Sequence, residues 1–171
     1  MKALLAIAVG GWILSTIAHL VTFLGIAPNK ICPWIWLLHL GIFVVWFPMI
    51  FVSGKTMKPG YRKSFKELMP HAPSWMPRLC GILFAYALFN FFFTIFVLNK
   101  GGNPSVIDGE KVLQSHGKII RKLSDEEYRW HEAYSVRMFS GHWMLFYGIA
   151  TAVLLSRIKE TGGGQAEKNP L

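Results

Sequence analysis

Histidine is the side chain best suited to chemistry near neutral pH, and this chain has six. Three of them, His19, His39 and His142, fall inside long apolar stretches, where a polar residue is a site hypothesis by default. His19 lies seven residues before Ile26, His39 five after Trp34 and His142 four after Met138. At 1.5 Å per helical residue, all three then sit ~6–12 Å inside the same face of a bilayer. Asn90, eight residues before Leu98, falls at that level too. Paired histidines on neighbouring helices are an axial ligand set for b-type haem. Gly41 and Gly141 flank His39 and His142 and leave room for a macrocycle, and Arg137, Arg129 and Lys30 are cations for its propionates. Imidazoles with Met138 or Met144 are an alternative set for copper or zinc. A third reading uses the same residues as glue, each imidazole bonding to a hydroxyl, amide or carbonyl of a neighbouring helix. The candidate ligands are therefore His19, His39 and His142, with Asn90 and Arg137 as supporting contacts.

Other chemistries lack a residue set. His131 and His142 are eleven residues apart and share a helix face with Tyr128, Tyr134 and Met138, a polar stripe suited to binding or to packing. Ser140 with His142, and Ser15 with His19, place a hydroxyl near an imidazole, but a hydrolase also needs an orienting group and an oxyanion hole. Cys32 and Cys80 fall at opposite faces of the membrane on the topology below, and no Cys-x-x-Cys is present, which disfavours thiol redox chemistry. No carboxylate lies within an apolar stretch, which argues against proton-coupled export through a buried acid. No glycine loop for phosphate is present.

The elements that must position these residues are four apolar runs: Ala3 to Ile26, Trp34 to Val52, Leu79 to Leu98 and Met138 to Ser156. Each has the ~17–25 residues needed to cross a bilayer, and none holds Asp, Glu, Lys or Arg. Of the 171 residues 53% are hydrophobic and only 16% charged, the reverse of a disordered chain. Lys2 followed by an apolar run is compatible with a signal peptide, yet the run is long for one and is read as a retained helix. Trp34, Trp36, Trp75, Trp130 and Trp143 lie near the expected helix ends, where indole rings favour the interface. Pro33 opens the second helix, and Pro48 inside it predicts a kink near Val44.

Four spans put both ends of the chain on one side. That side, with the 54–78 loop, carries ten of the 18 Lys and Arg residues, six of them within the loop. By the positive-inside rule this side is cytoplasmic. It holds three of the nine acids, so most of the formal charge of +9 lies there, beside anionic lipid head groups. Residues 61–69 fit a short amphipathic helix with Phe65, Leu68 and Met69 towards lipid. No base-stacking or base-reading set accompanies the charge, which excludes nucleic acid as the partner.

Residues 99–137 form an extracytoplasmic cap. Asp108-Gly109 and His116-Gly117 separate short alternating runs at about Ser105–Ile107, Glu110–Ser115 and Lys118–Leu123, which predicts a small β-meander. Ser124 and Glu127 form a capping box, from which one helix of about 30 residues runs through the fourth span. The polar tail 162–171 is expected to be flexible.

Two stretches, LLHLGIFVVWFPM at 37–49 and FSGHWMLFY at 139–147, together with Leu113 to Tyr128, resemble a group of small bacterial membrane proteins of uncharacterised function. The resemblance implies a bacterial inner membrane and no particular activity, cofactor or catalytic residue. The sequence thus predicts an all-α membrane protein: a four-helix bundle over 1–161 with the small sheet before its fourth helix. The expected function is a non-enzymatic binding or accessory subunit, in the bilayer with membrane-protein partners or further copies of itself. The alternatives are a redox subunit binding haem b or a metal, and a small oligomeric transporter.

Overall fold

The computed structural model describes residues 1–54 and 69–166. Four long helices dominate it: α1 (Lys2–Val21), α2 (Leu37–Gly54), α3 (Trp75–Phe93) and α4 (Asp125–Ala166). All four are long and apolar enough to cross a membrane. A tight turn Thr22–Leu24 prolongs α1, and a second, Pro33–Trp36, leads into α2, with Pro33 at its first position as its missing N–H allows. A π-helical segment, Thr94–Leu98, ends α3. Helix α2 continues through Pro48 to Gly54. Helix α3 starts at Trp75 rather than Leu79, which takes Arg78 into its first turn. Residues 61–68, expected to form an amphipathic helix, lie outside the described residues. Met69 is buried in the core and does not face outward as that helix would have placed it.

The bundle is built around α4. Helices α1, α2 and α3 each pack on it, and α1 also touches α2. The pattern on α1 explains the arrangement. Its buried positions Ala8, Gly11, Ser15, Ala18, His19 and Thr22 recur at three- and four-residue spacing, so they form one face. They are small or polar. The large apolar residues point outward instead: Ile13, Leu14, Ile17 and Leu20 are 50%, 55%, 54% and 59% exposed. A helix on a water-soluble core has the opposite polarity. Small inward residues let backbones approach closely, which is how helices associate where no hydrophobic drive separates them from their surroundings.

Two glycines mark the closest approach. A Cβ on Gly11 would stand 2.4 Å from the Tyr147 ring, and one on Gly41 2.3 Å from its hydroxyl. Tyr147 of α4 thus fills a notch between α1 and α2, and its hydroxyl donates to the Leu38 carbonyl at 2.8 Å. Trp46 of α2 adds an indole bond to the Phe146 carbonyl at 3.0 Å. The stretches 37–49 and 139–147 therefore pack against each other.

Between α3 and α4 the chain forms a three-stranded antiparallel meander: β1 (Asn103–Ile107), β2 (Glu110–Ser115) and β3 (Lys118–Lys122), in that spatial order. Asp108, Gly109, His116 and Gly117 all have positive φ, the requirement of two-residue hairpin turns. A bulge at Leu113/Gln114 shifts the β2–β3 register. Val112 and Leu113 are buried, and β1 and β2 pack on α4. The capping box forms: the Ser124 amide donates to Glu127 Oε2 at 2.9 Å, and the Glu127 amide to Ser124 Oγ at 3.2 Å. Asp125, Glu126 and Glu127 place three acids in the first turn, where the helix dipole favours them. From there α4 runs 42 residues to Ala166, longer than its sequence pattern predicts and into the expected tail. Residues 167–171 lie outside the described residues.

Candidate functional site

The polar residues that the sequence places within the long apolar helices divide into two sets. One set ties α1, α3 and α4 together around His19. Its Nδ1 bonds Ser140 Oγ at 2.8 Å, and its Nε2 bonds the Tyr86 hydroxyl at 2.5 Å. Ser140 donates its hydroxyl to the Arg137 carbonyl at 3.2 Å, so it accepts from His19 Nδ1–H. His19 Nε2 is then the acceptor for Tyr86 O–H. Asn90 completes the set. Its Nδ2 donates to the same Arg137 carbonyl at 3.0 Å, and its Oδ1 accepts from Arg137 Nε at 3.3 Å. The Arg137 guanidinium stacks over the Phe23 ring, 3.6 Å from its centroid. His19, Asn90 and Ser140 are all buried. Every polar atom named is used, and His19 keeps no free ring nitrogen for a ligand.

Local sequence explains the convergence. His19 lies on the small inward face of α1. Tyr86, Asn90 and Thr94 stand four residues apart on α3 and share a face. Gly141 follows Ser140, and a Cβ there would stand 2.8 Å from Asn90 Nδ2. The glycine thus admits the amide. Sequence reasoning missed Tyr86, although its four-residue step to Asn90 was a usable signal. It also paired Ser140 with His142 and His19 with Ser15. In the structure Ser140 turns to His19, while Ser15 Oγ donates to the Gly11 carbonyl one turn back.

The other two histidines face elsewhere. His39, on α2, is exposed. Its Nδ1 accepts from Trp143 Nε1–H at 3.0 Å. Indole nitrogen only donates, so this bond fixes the His39 proton on Nε2. Trp143 is itself fully buried, and not at an interface as its place in the sequence suggested. Helix α4 begins at Asp125, which puts Trp143 well inside it. His142 bonds the Met138 carbonyl one turn back through Nδ1 at 3.1 Å and lies edge-on to Phe91. Among the three, only its Nε2 retains a lone pair.

His19 and His39 meet α4 at Ser140 and Trp143, a stretch of four residues that includes His142, but the three rings share no hydrogen-bond partner among the described residues. No group of three metal-binding side chains occurs among the described residues. The space beside Gly41 and Gly141, expected to admit a macrocycle, is filled by Tyr147 and Asn90. Arg137 is held by Asn90 and Phe23. Lys30 pairs with Glu132 at 2.8 Å, and that bond raises its pKa above the ordinary 10.5. A raised lysine contributes fully below its unfolded pKa, so this pair holds at neutral pH and weakens only as pH climbs past that value. His131 is buried against Asn99, Nδ1 to Oδ1 at 3.0 Å, and so packs the stripe it shares with His142. Cys32 is exposed and Cys80 buried, both as free thiols.

No protein-family model, curated protein or solved structure matches the chain. Geometry alone carries its functional reading.

Proposed function

We propose that the chain is an integral protein of the bacterial inner membrane, acting as a non-enzymatic binding or accessory subunit. One observation supports this above the others. His19, Tyr86, Asn90, Arg137 and Ser140 bond to one another across α1, α3 and α4, while the large apolar side chains of α1 point outward. A catalytic site needs a polar group held ready for substrate, and the His19 set spends all of its groups on holding α1, α3 and α4 together. The charge distribution supports cytoplasmic ends, with the meander on the outer side.

The test is extraction and size. The chain is expected to stay in membranes washed with alkaline carbonate. In mild detergent it is expected to run as a particle larger than one chain plus its micelle. Release by carbonate would end the membrane reading, and a strictly solitary monomer would end the accessory one.

A further inference from the structure

His39 carries a ring N–H that faces two grooves and has no acceptor among the described residues. Trp143 holds the proton of His39 on Nε2, and nothing among the described residues accepts it. In hydrocarbon an unpaired N–H costs several kcal/mol. Two grooves meet at this ring. The first, of about 360 Å³, is lined by Pro33, Trp34, Trp36, Leu37 and Phe139 with His39. The second, of about 240 Å³, runs from His39 past Phe43, Trp46, Phe47 and Ile50 to Phe146. Both grooves lie where α2 meets α4.

The two grooves have different shapes of wall. Flat rings line the first: Trp36 meets Phe139 edge-on at 5.4 Å and Trp143 at 5.5 Å, and His39 meets Phe139 at 6.0 Å. It suits a planar ring. The second is a strip of side chains along α2 at three- and four-residue spacing, a track for a hydrocarbon chain. No Lys, Arg, Asp or Glu lines either one. A phosphate head group would therefore find no counter-charge.

We propose that His39 and its two grooves bind a neutral, planar, carbonyl-bearing ring on a long hydrocarbon tail, the chemical class of the isoprenoid quinones. The ring lies among Trp34, Trp36 and Phe139. Its carbonyl accepts from His39 Nε2–H, and the tail follows α2 past Phe43 and Phe47. Trp143 is a positioning residue, because it sets the tautomer that makes His39 a donor. The inference concerns binding alone and rests on the membrane reading above.

The full chain, purified in mild detergent, is titrated with a ubiquinone carrying one isoprene unit, and quenching of tryptophan fluorescence is followed. Saturable quenching at one site per chain is expected, and solvent extraction of the untitrated protein should yield quinone. His39→Phe keeps a ring but no donor and should weaken binding about tenfold. His39→Gln restores a donor and should recover most of the affinity. Leu40→Phe narrows the first groove at an exposed position and should weaken binding without touching the hydrogen bond. His142→Phe lies outside both grooves and should bind as the native chain does. Quenching that does not saturate, native affinity in both His39→Phe and Leu40→Phe, or extraction of phospholipid alone would overturn the proposal. A chain that resists carbonate but fails these tests loses this inference only. Release by carbonate removes the membrane reading beneath it.

Discussion

His19 is bonded through both ring nitrogens, so its removal takes the acceptor from the Tyr86 hydroxyl and leaves Ser140 only its bond to the Arg137 carbonyl. His19→Leu is expected to cost about 1–3 kcal/mol, and Ser140→Ala about 0.5–1.5, in reversible unfolding from mixed micelles. The double variant should cost clearly less than the two together, because the residues share a bond. Strict additivity would show that they do not act together. Gly11 is a second sensitive point. Gly11→Val drives a methyl group into the Tyr147 ring, with an expected loss of about 1–3 kcal/mol. At this scale sequence gave depth but not direction. A helix 1.5 Å per residue fixes the level of His19, His39 and His142. Which way each ring points depends on the rotation of α1, α2 and α4, which tertiary packing sets. Trp143 shows the same limit, since its place near an apolar boundary suggested an interface and its ring is buried.

The secondary elements were far more legible. The three-stranded order was legible because Asp108-Gly109 and His116-Gly117 supply the positive φ that such turns demand; β2 has its predicted bounds, while β1 starts two residues early and takes in Asn103-Pro104, and β3 ends one residue early. The capping box at Ser124 was legible for a similar reason: it is a local bond pattern, written within four residues. Ser124→Ala should destabilise the start of α4 by about 1 kcal/mol, seen as faster proteolysis of the cap. Gly109→Val places a β-branched side chain at φ 81° and should likewise open the meander to protease. Equal protease resistance in either variant would show that the cap is held by something else. The early start of α3 escaped sequence reading because a charge, Arg78, interrupts its apolar run without breaking the helix.

For the whole molecule, the proposed orientation rests on the charge map, and the cysteines supply its assay. Cys32 is exposed between α1 and α2, and Cys80 is buried in α3. With cytoplasmic ends, a membrane-impermeant maleimide should label Cys32 from outside permeabilised-envelope cells and leave Cys80 untouched. Labelling of Cys32 only after the inner membrane is opened would reverse the topology. The inverted α1, small and polar within and apolar without, supports the membrane reading energetically. Its outward Ile13, Leu14, Ile17 and Leu20 gain nothing from water.

In the proposed function, the histidines join helices or donate to a neutral ligand and do not ligate iron or another metal. An optical spectrum of the full chain purified from membranes, with metal analysis of the same sample, tests this most directly. The prediction is no Soret band and no stoichiometric metal. A Soret band near one haem per chain, lost in His19→Leu or His39→Phe, would contradict it.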